Sequence, residues 1–109
     1  MGLKATAEGV KNNSHGVYSH TEGHGNSALV NNSHAEGEYT IANSYAAHTE
    51  GYGTVATGKA QHVFGIYNIP DSTGTTSARG TYVEIVGNGQ EPDPSTIPGR
   101  GSYDYDPAE

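Results

Sequence analysis

The sequence predicts an all-β fold, a solenoid of short stacked coils, and three observations carry that prediction. Glycine recurs every fourteen residues, at Gly9, Gly23, Gly37, Gly51 and Gly65. Glutamates stand immediately before the first four, as Glu8, Glu22, Glu36 and Glu50, and histidines stand two residues before the glutamate position, at His20, His34, His48 and His62. Large apolar side chains are also scarce: Leu, Ile, Val and Phe number 15 of 109 residues. Composition alone would place such a chain among disordered polymers; the order of its residues overturns that reading.

Each element of a coil follows from the period. Fourteen residues are too few for a helical pair, a leucine-rich repeat or a propeller blade, which need at least about 20. They suit two strands of about five residues, at a rise of roughly 3.3 Å each, joined by two tight turns. Ser-His-x-Glu supplies the first strand, and the recurring glycine fits a turn that needs positive φ. Thr40-Ile41-Ala42 and Thr54-Val55-Ala56 supply the second strand, with Asn43 and Gly58 closing the coil. Helix is disfavoured because Gly, Asn, Ser and Thr dominate every window. Stacked coils lie about 4.8 Å apart, so residues one period apart form ladders, and the interior ladders are mostly Ala, Ser and Thr. A coil this narrow buries too little to offset a chain entropy of roughly 1–2 kcal/mol per residue, so an obligate oligomer is expected. Thr6 stands where the first coil would carry its histidine, which leaves Glu8 without a partner and makes that coil an atypical cap.

The pattern ends at the fifth row, where Phe64 replaces the glutamate and Pro70 meets the alanine column. Val63 to Ile69 and Tyr82 to Val86 read as strands joined by the loop 70–80, a hairpin or crossing strand that would cap and protect the open end of the stack. Phe64, Ile66, Tyr67, Ile69, Tyr82, Val83 and Ile85 hold most of the large apolar side chains. The firmest core is expected there; a receptor pocket is the functional alternative. The chain thus divides into β-roll repeats over 1–65, a capping hairpin over 66–89 and a Pro-rich acidic tail over 90–109. That tail reads as an extended arm or linker, or as a segment that docks Tyr103 and Tyr105 on a neighbouring subunit or an adjoining protein.

Composition excludes several functions. There is no cysteine, so disulfides, thiolate metal sites and cysteine nucleophiles are ruled out. A net charge of −7 with only five Lys and Arg residues argues against nucleic acid and anionic membrane surfaces. No run approaches the roughly 18 apolar residues of a membrane span, and Met1–Ala5 shows no signal-peptide pattern.

The candidate site is the pair of polar columns. His20 and Glu22 are two apart on one strand and share a face, as do His34 and Glu36, and His48 and Glu50. A bare glutamate ladder would repel itself, so each Glu is expected to bond a His of its own or a neighbouring chain. Replacing His34 and His48 by Gln should then lower thermal stability sharply. The alternative is a bound ion, since imidazole and carboxylate suit transition metals or calcium; the candidate ligands are His20, Glu22, His34, Glu36, His48, Glu50 and His62. No other cofactor is expected. No catalytic residue is expected either, because the motif recurs in every coil whereas a catalytic site is built once. His15 and His24 are off register and read as surface residues. Tyr39, Tyr45 and Tyr52 are the side chains that could stack on sugars.

Ser33-His34-Ala35-Glu36-Gly37, with Ser19-His20-Thr21-Glu22-Gly23 and Ala47-His48-Thr49-Glu50-Gly51, resembles the head repeat of YadA-type trimeric adhesins, whose commoner form reads Ser-Val-Ala-Ile-Gly. The His/Glu form is similar to fibre and tail proteins of bacteriophages and prophages. In those, repeats are followed by a stretch like Gln61-His62-Val63-Phe64-Gly65 through Tyr67-Asn68-Ile69, then a strand ending Val86-Gly87-Asn88-Gly89. The resemblance spans about residues 6–89. It implies a left-handed parallel β-roll and a homotrimer, with the His/Glu columns at the trimer core in place of Val and Ile. It implies attachment: a virion head fibre, tail fibre or spike, with other virion proteins and a host-surface glycan or protein as partners. The alternative is the head of a bacterial trimeric autotransporter adhesin at the cell surface. The sequence lacks the signal peptide, coiled-coil stalk and anchor barrel of those adhesins, and also the autoproteolytic chaperone domain that ends some phage appendages.

Overall fold

The computed structural model describes residues 1–89 and the backbone of 103–105; the readings placed on the remainder of the tail lie outside the described residues. Among the described residues there is no helix, and so none long and apolar enough to cross a membrane. The strands are β1 (Thr6–Val10), β2 (Asn13–Ser14), β3 (His20–His24), β4 (Ser27–Ala28), β5 (His34–Glu38), β6 (Ile41–Ala42), β7 (His48–Thr49), β8 (Val55–Ala56), β9 (His62–Ile66), β10 (Glu84–Asn88) and β11 (Tyr103–Tyr105), with five-residue and two-residue strands alternating from β1 to β6. One sheet runs β1-β3-β5-β7-β9-β10-β11 and the other β2-β4-β6-β8. All pairings are parallel except β10 with β11. The result is a β-solenoid of about four turns. His20 lies opposite His34, His34 opposite His48 and His48 opposite His62, a register that fits the sequence spacing. The second strand of each coil is two residues long, shorter than the five its segment predicted.

Alternation along each strand sorts the side chains. In β3, Thr21 is buried while His20 and Glu22 face outward, half-exposed. The interior is lined by Thr21, Ala35, Thr49, Val63 and Ile85 from the long sheet and by Ser14, Ala28, Ala42 and Ala56 from the short one. Asn26, Thr40, Thr54 and Asn68 fill one bend, and Ser19, Ser33, Ala47 and Gln61 the other. The polar members of these columns tie down backbone groups that the bends leave unpaired. Asn26 donates to the carbonyls of Glu22 and Gly37 and accepts from the amide of Thr40. Thr40 and Thr54 donate to the carbonyls of Glu36 and Glu50 in the same way.

The recurring glycines take φ between 99° and 106°. Gly9, Gly23, Gly37 and Gly65 nevertheless lie within β1, β3, β5 and β9 rather than in a turn. They bend the strand, and a Cβ on Gly37 would meet the carbonyl oxygen of Gly51 at 2.1 Å. The turn that closes each coil has its left-handed residue at Lys4, Tyr18, Asn32, Ala46 or Ala60 instead. Asn43 and Gly58, expected to close their coils, precede it.

The capping hairpin expected over 66–89 is corrected by the strand direction. β10 runs parallel to β9, with Glu84 opposite His62 and Asn88 opposite Ile66, so the chain completes another, longer coil. Pro70 sits where the short sheet would continue, and its missing N–H stops that sheet at β8. The extra residues fold back over two earlier turns. The carbonyls of Thr76 and Ala78 accept the amides of Tyr45 and Lys59, and that of Thr75 accepts the Ser44 hydroxyl. The firmest core also lies elsewhere than the seven large residues predicted. Of these only Ile85 is fully buried, while Ile66, Ile69 and Val83 are 50%, 41% and 42% exposed. In β9 the alternation turns Val63 inward and leaves Ile66 outside.

Candidate functional site

The parallel register of β3, β5, β7 and β9 lines up the four histidines on the outer face of the long sheet. Their rings stack, with centroids 4.7 Å apart for His20 and His34, 4.6 Å for His34 and His48, and 5.0 Å for His48 and His62. Phe64 closes the stack 5.0 Å from the ring of His62. Each imidazole bonds the glutamate of the preceding coil: His20 with Glu8 at 3.0 Å, His34 with Glu22 at 3.2 Å, His48 with Glu36 at 3.0 Å and His62 with Glu50 at 2.7 Å. The partner therefore lies diagonally across the strand boundary, a separation long side chains can span. Glu8, read as unpartnered, takes His20 of the next coil. At the other end, Glu84 lies 3.9 Å from the second ring nitrogen of His62.

This arrangement breaks up the negative column, because a histidine stands against every glutamate of the repeat. The side chains of His34, Glu22, His48 and Glu36 are about a third exposed, at 33%, 43%, 36% and 31%. Water screens such pairs, and each contributes little by itself. Two trios, His20 with Glu22 and His34, and His34 with Glu36 and His48, bring their ligand atoms within 4.8 Å of one another. Each offers two imidazoles and one carboxylate, a donor set for zinc-like ions. Calcium, which takes six to eight oxygens, is poorly served. His62 and Glu50 belong to neither trio.

Two further constellations escaped the sequence reading. His24, taken as an off-register surface residue, bonds Glu38 at 3.0 Å and lies 5.2 Å from the ring of Tyr39. The signal was present, since His24 and Glu38 are one period apart and face each other across β3 and β5. The aromatic contacts continue along that edge, with Tyr39 6.0 Å from Tyr52 and Tyr52 5.4 Å from Tyr67. Of the tyrosines singled out for sugars, Tyr39 and Tyr52 belong to this strip, whereas Tyr45 lies on the opposite edge under Lys59.

Asp71, in the loop 70–80, is buried. Its carboxylate accepts the amides of Thr73 and Tyr82, the Thr73 hydroxyl and the Gln61 side-chain amide. Burial alone would push its pKa up. The Thr73 hydroxyl and the amides of Tyr82, Thr73 and Thr81 outweigh that and hold the carboxyl below the usual aspartate value. The Asp-x-Thr spacing of an Asx turn is the local sign of such a residue. Its burial depends on the loop folding back, which no local signal announces.

No protein-family model, curated protein or solved structure matches this chain.

Proposed function

We propose that the chain is a structural and attachment component of a bacteriophage virion, a homotrimeric head fibre, tail fibre or spike that meets the host surface. One observation carries the reading: the solenoid is packed with small residues inside while larger apolar ones lie outside. Ala28, Ala35, Ala42 and Ala56 are fully buried, whereas Val10, Tyr39, Ile66 and Ile69 are 57%, 48%, 50% and 41% exposed. A stack this thin gains too little from its own interior, and copies packed side by side supply the missing burial. The Ser-His-Ala-Glu-Gly resemblance supports three copies, a left-handed roll and a virion as the setting. The role is non-catalytic; Glu22, Glu36 and Glu50 form a repeated column in place of the unique carboxylate pair a glycosidase needs.

The test is solution mass by light scattering, with and without a chelator, followed by retention of the labelled protein on bacterial cells. A mass about three times 11.3 kDa that survives the chelator, with retention lost after periodate treatment of the cells, is the expected result. A compact monomer overturns the assembly and the function built on it.

A further inference from the structure

We infer that the histidine ladder is a binding site for a single divalent transition-metal ion per chain, with His34 as the ligand every binding mode must use. The two trios are separate in sequence but not in space, since His34 belongs to both. His34 and Glu22 already stand 3.2 Å apart, and His48 and Glu36 3.0 Å apart. Those separations are close to the roughly 3.4 Å spanned by two ligands at about 2.1 Å from a tetrahedral ion. An ion entering either pair takes the place of the shared proton.

The third ligand requires a movement. The His20 and His34 rings are parallel within 2°, and the His34 and His48 rings within 3°. Neighbouring nitrogen lone pairs therefore run side by side and do not converge. One ring must turn about its Cβ–Cγ bond to complete a trio, and exposures of 39%, 33% and 36% for His20, His34 and His48 leave room for the turn. Once His34 has turned towards one neighbour it is lost to the other, so filling one trio empties the second. His62 stands apart: its stacking with His48 is looser, at 5.0 Å and 18°, and its ring is held between Glu50, His48 and Phe64. Zinc, nickel or cobalt suits this donor set, while magnesium and calcium do not. The inference rests on one chain's geometry and requires that the histidine face stay open to solvent, since the ring turn uses the exposure of a single chain.

The test is calorimetric titration of the full chain with zinc and with nickel at neutral pH. One ion per chain is expected for the parent. His62→Gln should bind within about twofold of the parent, and His34→Gln should lose tenfold or more. Should His34→Gln fail to fold, His20→Gln and His48→Gln each leave one trio intact. Each single variant should keep one ion, and the double variant should keep none. Two independent ions per chain, or undiminished binding in the His20→Gln/His48→Gln chain, would overturn the inference.

Discussion

The solenoid carries two kinds of polar ladder, one sealed inside its bend and one on its outer face, and they are built on different terms. Inside, Asn26 is fully buried and bonds the carbonyls of Glu22 and Gly37 and the amide and hydroxyl of Thr40. Outside, His34 is a third exposed and bonds one glutamate. The inner ladder satisfies backbone groups that water cannot reach, so losing a member leaves them unpaired. The outer ladder joins side chains that water solvates anyway. Similar repetition along the sequence thus encodes different energies, and burial decides which.

The sharpest break of that contrast is Asn26→Ala, expected to cost about 3 kcal/mol because several buried partners are orphaned at once. A shifted urea midpoint measures it. Asn26→Thr should recover part of the loss, since Thr40 and Thr54 occupy the same column. Asp71→Asn comes next, at about 2 kcal/mol, because an amide nitrogen would face donors where the carboxylate now accepts them. Its pH dependence has a definite sign. The folded carboxyl titrates below the unfolded value of about 3.9. Its stabilisation is therefore complete above that value and is lost as pH falls through the folded one. Unfolding free energies of the parent and of Asp71→Asn should converge in acid; a gap that stays constant down to the acid limit would show that the charge does not contribute.

A third substitution tests the same rule in the buried column of the long sheet, by improving it. Thr49 Oγ1 is the one buried side-chain polar atom without a partner among the described residues, in a column that already holds Val63. Thr49→Val should stabilise the chain by about 1 kcal/mol, seen as a raised melting temperature. Smallest of all is His34→Gln or His48→Gln in a free chain, at about 0.5 kcal/mol each. The sharp loss that sequence reasoning expected for these variants would require a covered ladder. A measured cost of several kcal/mol would accordingly place that face against another copy.

How much of the site could be read in the sequence follows from the same contrast. The columns His20, His34, His48, His62 and Glu8, Glu22, Glu36, Glu50 were visible as periodicity, and so was their common face. That each glutamate bonds a histidine was expected as well; which histidine was not, because a spacing of two along a strand suggests partners in the same coil, whereas the side chains reach across to the coil before. Glu8 was misread for that reason. His24 was passed over because it falls outside the dominant column, although Glu38 follows it one period later.

The sequence by itself determined the stacking: a fourteen-residue period with glycine at a bend, small residues inward and polar ones outward leaves the backbone few alternatives to parallel coils. This information is local and repeated, so each coil restates it. The tertiary structure alone decided how the stack ends. Whether β10 returns antiparallel or runs on parallel to β9 depends on the loop 70–83 finding Ser44, Tyr45 and Lys59 on earlier coils and on Asp71 being sealed beneath Tyr82. Those contacts join residues far apart in the chain and occur once, so no period records them.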